Sequence, residues 1–308
     1  MQQSTDRQEP ARALRGRLTR GPALLLDGAL GTELERRGCP AGLPLWSTHA
    51  LLEAPERVAE IHGDYARAGA EILTANTFRT QQRTLDRATA SGRNLGAQDA
   101  ELTQLAVDLA RTGAASVDRP VWIAGSAPPL EDCYRPDRVP GDEALEREHS
   151  IHMGNLGRAG VDLVLIETMN SLREAAIASR IAREAGLPFL VSFTSWNSAR
   201  LLSGERLEEA VWRVLDHEPL AVLVNCLPAS AVAACLPVLQ GSGLPFGVYA
   251  NLGEPTADGT FRRSEEHGPE EFAAHARRWI EAGARIVGGC CGTTPDHIRA
   301  ADQVRAAG

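Results

Sequence analysis

From Pro22 onward the chain alternates short, almost continuously apolar runs with longer stretches whose apolar residues recur at helical spacing. The apolar runs are Ala23–Gly31, Glu71–Phe78, Pro120–Ser126, Asp162–Thr168, Pro188–Ser195, Leu220–Leu227, Pro245–Leu252 and Ala284–Cys291. Each leads into an amphipathic segment, the last being Pro295–Ala306. Near-continuous apolar character is what a strand covered on both faces requires. Eight strand-then-helix units predict an α/β protein with a (β/α)8 TIM barrel spanning residues 21–308. Residues 1–20 are polar and Arg-rich, and are expected as a flexible tail or a short leading helix. The competing layout is a doubly wound sheet. The count of eight favours the barrel, and no Gly-x-Gly-x-x-Gly follows the first run. Three stretches echo one another: Arg67-Ala68-Gly69-Ala70, Arg158-Ala159-Gly160-Val161 and Glu281-Ala282-Gly283-Ala284. In each a glycine ends a helix just before a strand begins, which marks the N-terminal side of the barrel.

Barrel chemistry gathers at the C-terminal ends of the strands. The residues expected there are Asp27 after the first run, Asn76-Thr77-Phe78 after the second, Gly125-Ser126 after the third and Glu167-Thr168 after the fourth. Thr194-Ser195-Trp196 closes the fifth run, Asn225-Cys226 the sixth, Asn251 the seventh and Cys290-Cys291 the eighth. Neighbouring side chains on a regular strand point to opposite faces, so two adjacent cysteines cannot both turn inward unless the backbone kinks. Gly288, Gly289 and Gly292 supply that freedom. Two thiols aimed at one point, joined by a third, would make a three-thiolate zinc site with an open fourth position. The alternatives are two buried cysteines in a glycine-rich turn, or a vicinal disulfide. Runs six and eight are alternate strands, so Cys226 is expected to converge with Cys290 and Cys291. Cys39, Cys133 and Cys235 serve as controls and are expected to be ordinary packing or surface residues.

Asp27 and Glu167 end otherwise apolar runs. A buried carboxylate needs a partner, either a structural donor or a substrate ammonium. Thr293-Thr294-Pro295-Asp296 reads as a helix start whose free N–H groups would suit a substrate carboxylate at the mouth. His149 and His152 lie beside Glu146 and Glu148, as on a solvated face. The loops Gly38–Pro55, Pro128–Asp142 and Glu254–Pro269 are long enough to cover the mouth.

Composition narrows the chemistry. All 32 basic residues are arginine, which excludes Schiff-base aldolases, pyridoxal-phosphate enzymes and P-loops. A net charge of −8 argues against nucleic acid as a partner. No apolar run would span a bilayer and the first 20 residues hold no signal-peptide core, so a cytoplasmic, reducing location is expected and the six cysteines are expected as free thiols or metal ligands. Two rival readings are a phosphate-binding barrel lyase or isomerase, and a non-enzymatic structural or redox zinc-thiolate barrel.

Several stretches together resemble the homocysteine S-methyltransferases. They are Leu26-Asp27-Gly28-Ala29-Leu30-Gly31-Thr32-Glu33, Leu45-Trp46-Ser47, Asn76-Thr77-Phe78, Ile166-Glu167-Thr168, Val224-Asn225-Cys226 and Gly288-Gly289-Cys290-Cys291-Gly292-Thr293-Thr294-Pro295. The resemblance runs from Leu25 to the end. It implies Zn2+ on Cys226, Cys290 and Cys291, and substrate contacts from Asp27, Asn76, Thr77, Phe78 and Glu167, the two acidic residues lying at the homocysteine amino group. It implies small-molecule substrates, L-homocysteine and a methyl donor, with a homo-oligomer left open. The zinc-bound homocysteine sulfur itself is the nucleophile in this reading, with no further catalytic group. In the betaine-using branch tyrosines tend to stand where this chain has Arg79 and Thr168, which points instead to S-methylmethionine or S-adenosylmethionine. The segments Ser126–Leu130 and Ala250–Gly259 do not follow S-methylmethionine-using members closely.

Overall fold

A computed structural model of the chain describes residues 2–92, 95–195, 199–255, 261–263 and 268–306. Trp196 and most of the expected loop at 254–269 lie outside the described residues. The barrel strands are β1 (Leu24–Leu25), β2 (Ile72–Ala75), β3 (Trp122–Ala127), β4 (Leu163–Met169), β5 (Phe189–Phe193), β6 (Val222–Pro228), β7 (Phe246–Asn251) and β10 (Ile286–Gly289). Between β7 and β10 stands a small antiparallel pair, β8 (Gly253–Pro255) and β9 (Phe261–Arg263). The large sheet runs β1-β10-β7-β6-β5-β4-β3-β2 with every pairing parallel. It closes where Leu26 bridges Ile72, the Asp27 N–H donating to Ile72 O at 3.0 Å. This is the expected (β/α)8 barrel, although the first strand is shorter than Ala23–Gly31 because the chain turns at Gly28 to start α2 (Gly31–Arg36).

The apolar runs divide by parity, as strand geometry demands. Leu24, Leu26, Ile72, Ala124, Leu163, Leu165, Leu190, Leu223 and Ile286 form one buried cluster, the barrel interior. Leu25, Leu73, Ile123, Val164, Val191, Val222, Val224, Val248 and Val287 form the other, between sheet and helices. The outer shell comprises α3 (His49–Glu53), α4 (Pro55–Arg67), α5 (Gln82–Ala90), α6 (Asp99–Ala114), α7 (Asp142–Ala159), α8 (Leu172–Glu184), α9 (Leu207–Leu215), α10 (Val232–Gly241), α11 (Pro269–Glu281) and α12 (Pro295–Ala306). No helix among the described residues is long and apolar enough to cross a membrane.

The leading segment is not a loose tail. It forms α1 (Gln2–Thr19), whose Leu14 and Leu18 are buried within the interior cluster. Arg17 pairs with Glu71 at 2.9 Å, and the Arg285 guanidinium donates to Leu18 O at 2.8 Å. Two leucines four apart on one helix face were enough to stopper the barrel's N-terminal end; a polar average over the segment conceals that face. Leu14→Ala or Leu18→Ala is expected to destabilise the fold by about 2–5 kcal/mol, read by urea denaturation. A detached tail would show no change.

His149 and His152 depart from the expected solvated face. Both are buried on α7. His149 Nε2 lies 3.0 Å from Glu174 Oε1 on α8, and His152 Nε2 lies 2.9 Å from Ser126 O. Burial pushes His152 down to about 4, so the ring is neutral and fixes the β3 end.

Candidate active site at the C-terminal mouth

Above the apolar interior, the same inward parity carries polar residues: Thr74, Ser126, Glu167, Ser192, Asn225 and Tyr249. Regular alternation would turn Cys226 outward, since it follows Asn225. The register of β6 against β7 shifts between Asn225 and Pro228, and Cys226 has φ 56°. The register of β4 against β5 shifts between Ile166 and Met169, with Thr168 at φ 58°. A β-branched residue in the left-handed region is strained, and such bulges re-aim side chains beside active sites. Asn225 ties the two bulges together. Its Oδ1 accepts from the Thr168 N–H at 3.0 Å and from Ser192 Oγ at 2.7 Å, while its Nδ2 donates to Thr168 Oγ1 at 2.9 Å. Thr194 Oγ1 donates to Cys226 O at 3.2 Å. Asn225→Ala would leave the buried Thr168 N–H without an acceptor while the strained backbone persists. The expected loss is about 2–4 kcal/mol in equilibrium denaturation.

Cys290 and Cys291 follow β10 in the glycine-rich turn. Gly289 approaches Thr293 so closely that a Cβ would collide with its side chain, and Gly292 has φ +86°. The Cys290 N–H donates to Ala250 O and the Gly292 N–H to Thr32 Oγ1, fixing the turn to β7 and α2. The ligand atoms of Cys226, Cys290 and Cys291 all lie within 4.8 Å of one another, with 3.2 Å between the Cys226 and Cys290 sulfurs. Tetrahedral zinc with bonds of about 2.3 Å needs sulfurs roughly 3.8 Å apart, so this donor set fits a metal ion. The contact with Cys290, reinforced by burial, raises the Cys226 thiol well above its ordinary value, and the contact with Cys226 does the same to Cys291. A cation among them would favour the thiolates. Of the controls, Cys235 packs in the core and Cys39 is half-buried, while Cys133 is buried at the cavity wall without joining the cluster.

The thiols open into a cavity of about 580 Å³. Asp27 and Glu167 both line it and are nearly inaccessible to solvent. Asp27 accepts from the Thr74 N–H at 2.7 Å and from Thr74 Oγ1 at 3.0 Å. Glu167 accepts from Ser126 Oγ, and from Tyr249 OH at 3.3 Å. Burial raises each carboxyl to about 7, against the lowering effect of these hydrogen bonds.

The strand-end triplet after β2 divides by function. Asn76 lines the cavity, but its amide is engaged by Ser47: Oδ1 accepts from Ser47 Oγ at 2.6 Å and Nδ2 donates to Ser47 O at 2.9 Å. It thereby positions Trp46, which lines the cavity beside Phe78. Thr77 does not line the cavity; it is fully buried and donates to Ser126 O at 2.9 Å. Thr294 and Pro295 border a separate surface cleft with Arg36 and Arg37, so the start of α12 does not line the cavity. Tyr134, unremarked in the sequence, places its OH 3.4 Å from Cys226 Sγ. Burial, with the nearby thiols adding, holds Tyr134 well above its ordinary value, so it stays a hydroxyl donor. Nothing but a loop position marks it in the sequence. Tyr249 could have been found by parity, two residues before Asn251 on an inward face.

A closed (β/α)8 barrel with clustered thiols and two buried carboxylates at the C-terminal mouth defines an enzyme of the barrel class. Residues 24–304 match the family model described as homocysteine S-methyltransferase. The homocysteine S-methyltransferase of Escherichia coli (strain K12) is 34% identical, the match covering 93% of this chain and 96% of that protein. Homocysteine S-methyltransferase YbgG of Bacillus subtilis (strain 168) is 30% identical over 90% and 93%, respectively. A metallated crystal form of the homocysteine methyltransferase MmuM from Escherichia coli superposes with a TM-score of 0.81 at 32% identity, covering 97% of this chain and all of that one. The chain belongs to the homocysteine S-methyltransferase family and is a methyltransferase.

Proposed function

We propose that the protein transfers a methyl group from a sulfonium donor, S-methylmethionine or S-adenosylmethionine, to the thiol of L-homocysteine, giving methionine with Zn2+ as cofactor. The observation that carries this reading is the three-thiol cluster beside two buried carboxylates in one cavity. Cys226, Cys290 and Cys291 would hold the zinc. Zinc bound by three thiolates lowers the pKa of a thiol in its fourth position while leaving that sulfur electron-rich.

The protein's own residues do the rest. Asp27 and Glu167 offer carboxylate oxygens to the homocysteine ammonium, and Thr74, Ser126 and Tyr249 hold those carboxylates in place. Tyr134 lies against the Cys226 sulfur and supplies it with a hydroxyl. The aromatic residues Trp46, Phe78 and Tyr134 line the cavity that receives the donor, and aromatic faces favour an onium cation. The homocysteine sulfur takes the methyl carbon; the donor's carbon–sulfur electron pair remains on the departing neutral thioether, so no general acid is required. The thiol proton is released before transfer. The cavity must hold sulfur and methyl at about 3–3.5 Å in line.

Betaine is disfavoured because Arg79 and Thr168 supply no aromatic face where the betaine-using branch tends to carry tyrosines. The test is methionine formation by zinc-loaded protein from L-homocysteine with S-methylmethionine, S-adenosylmethionine or betaine. Methionine from a sulfonium supports the reading. Betaine as the sole active donor overturns the choice of donor, and bound zinc with no methionine from any donor overturns the reading.

A further inference from the structure

One side chain in the cavity has no role in the chemistry above. Arg79 follows β2, lines the cavity and is only 8% exposed. Its Nε has no hydrogen-bond partner, and no carboxylate of the described residues pairs with its guanidinium. Its contact is with the Phe78 ring, whose centroid lies 5.2 Å from Cζ. Its positive charge reaches the thiol of Cys133, next in sequence to Tyr134. It therefore shares a chamber with the thiol cluster, on the wall formed by the 132–135 loop.

Elsewhere partly buried arginines have acceptors: Arg119 and Arg285 donate to backbone carbonyls, and others pair with acids. Arg37 meets Glu33 and Asp64, Arg83 meets Glu131 and Glu148, and Arg305 meets Glu71 and Asp302. A buried guanidinium without an anion is costly. In this cavity it is costly twice over, because a cationic donor must also enter. A ligand that is only a cation would be repelled. A ligand carrying a carboxylate along with its cationic or thiol group turns the same charge into a point of attachment, with the planar fork suited to bidentate pairing.

We propose that Arg79 binds the carboxylate of an amino-acid substrate in this cavity, so that the site selects amino acids over their carboxylate-free analogues. This rests on the function proposed above for the source of that carboxylate, acceptor or donor. The test is equilibrium binding to the zinc-loaded full chain by calorimetry, using three matched pairs. They are L-homocysteine with 3-aminopropanethiol, S-methylmethionine with (3-aminopropyl)dimethylsulfonium, and S-adenosylmethionine with its decarboxylated form. Wild type is expected to prefer the carboxylate-bearing member of at least one pair. Arg79→Gln is expected to weaken that member about 10- to 100-fold while leaving its cationic partner no weaker, and Arg79→Lys to retain part of the preference. The affected pair identifies the acceptor or the donor as the source. Unchanged discrimination in Arg79→Gln, or none in wild type, overturns the inference. Methionine formation is measured alongside. Turnover with no effect of Arg79 on discrimination leaves the methyltransferase reading standing alone, whereas carboxylate selection through Arg79 without turnover leaves the anion site standing alone.

Discussion

Cys226→Ser is expected to weaken zinc binding by about 10²- to 10³-fold and to take methionine formation below detection. Binding of structural zinc by small domains is worth about 10–16 kcal/mol, so each protein ligand accounts for roughly 3–4 kcal/mol. The hydroxyl that replaces the thiol is a far poorer ligand at neutral pH and sits on the same strained bulge, so the backbone is kept while the donor atom is lost. Metal content by mass spectrometry after dialysis, together with circular dichroism, reads the effect. Cys39→Ser is the matched control: it is a free cysteine outside the cluster and should leave metal and turnover as they are. If Cys226→Ser kept its full zinc complement, the cluster would not be the metal site.

The second large effect concerns Asp27 and Glu167. Each has a carboxyl raised by burial to about 7. In the unfolded chain these groups titrate near their ordinary values, so between about pH 4 and 7 the folded state binds more protons than the unfolded one. Their contribution to stability is therefore complete below pH 4 and is lost as pH rises through 7. Asp27→Asn or Glu167→Gln is accordingly expected to stabilise the ligand-free, metal-free protein at pH 8 by on the order of 3 kcal/mol, and to leave it nearly unchanged at pH 4. The two gains should not add in full, because the carboxylates act on each other. The same variants are expected to lose about 30- to 1,000-fold in kcat/KM for homocysteine, the cost of removing one partner of a buried charge pair. A protein made more stable yet far less active by one substitution is the signature of a group held at a folding cost for its substrate. Equal stability of wild type and variants at pH 8 would contradict it.

Much of this was legible in the sequence, for identifiable reasons. Continuous apolar runs fixed eight buried strands, and the rule that chemistry stands at strand ends drew attention to Asp27, Glu167, Cys226, Cys290 and Cys291. Strand alternation accounts for Cys226 only in part. Alternate strands bring it to the right layer, but period-two alternation alone would face it toward the helices; the bulge and the left-handed turn at φ 56° bring it round. A bulge is set by cross-strand partners such as Asn225 with Thr168, which a linear reading cannot pair. The resemblance treats Asn76, Thr77 and Phe78 as one strand-end motif, yet the Thr77 hydroxyl donates to Ser126 O. His149 and His152 are buried although glutamates flank them, because the glutamates describe neighbouring positions and not the face on which the histidines lie. Tyr134 belongs to a loop, where no periodicity says which way a side chain turns.

Among the described residues, the packed leucines Leu14 and Leu18 close the back of the barrel interior. In the reaction proposed above, acceptor, donor and both products would share the cavity at the opposite end. The sulfur seat rests on the sealed interior, since Cys290 packs against that cluster. For the transfer proposed above, traffic in such a cul-de-sac would be last in, first out: the acceptor would enter ahead of the donor, and the methylated acceptor would leave after the spent donor.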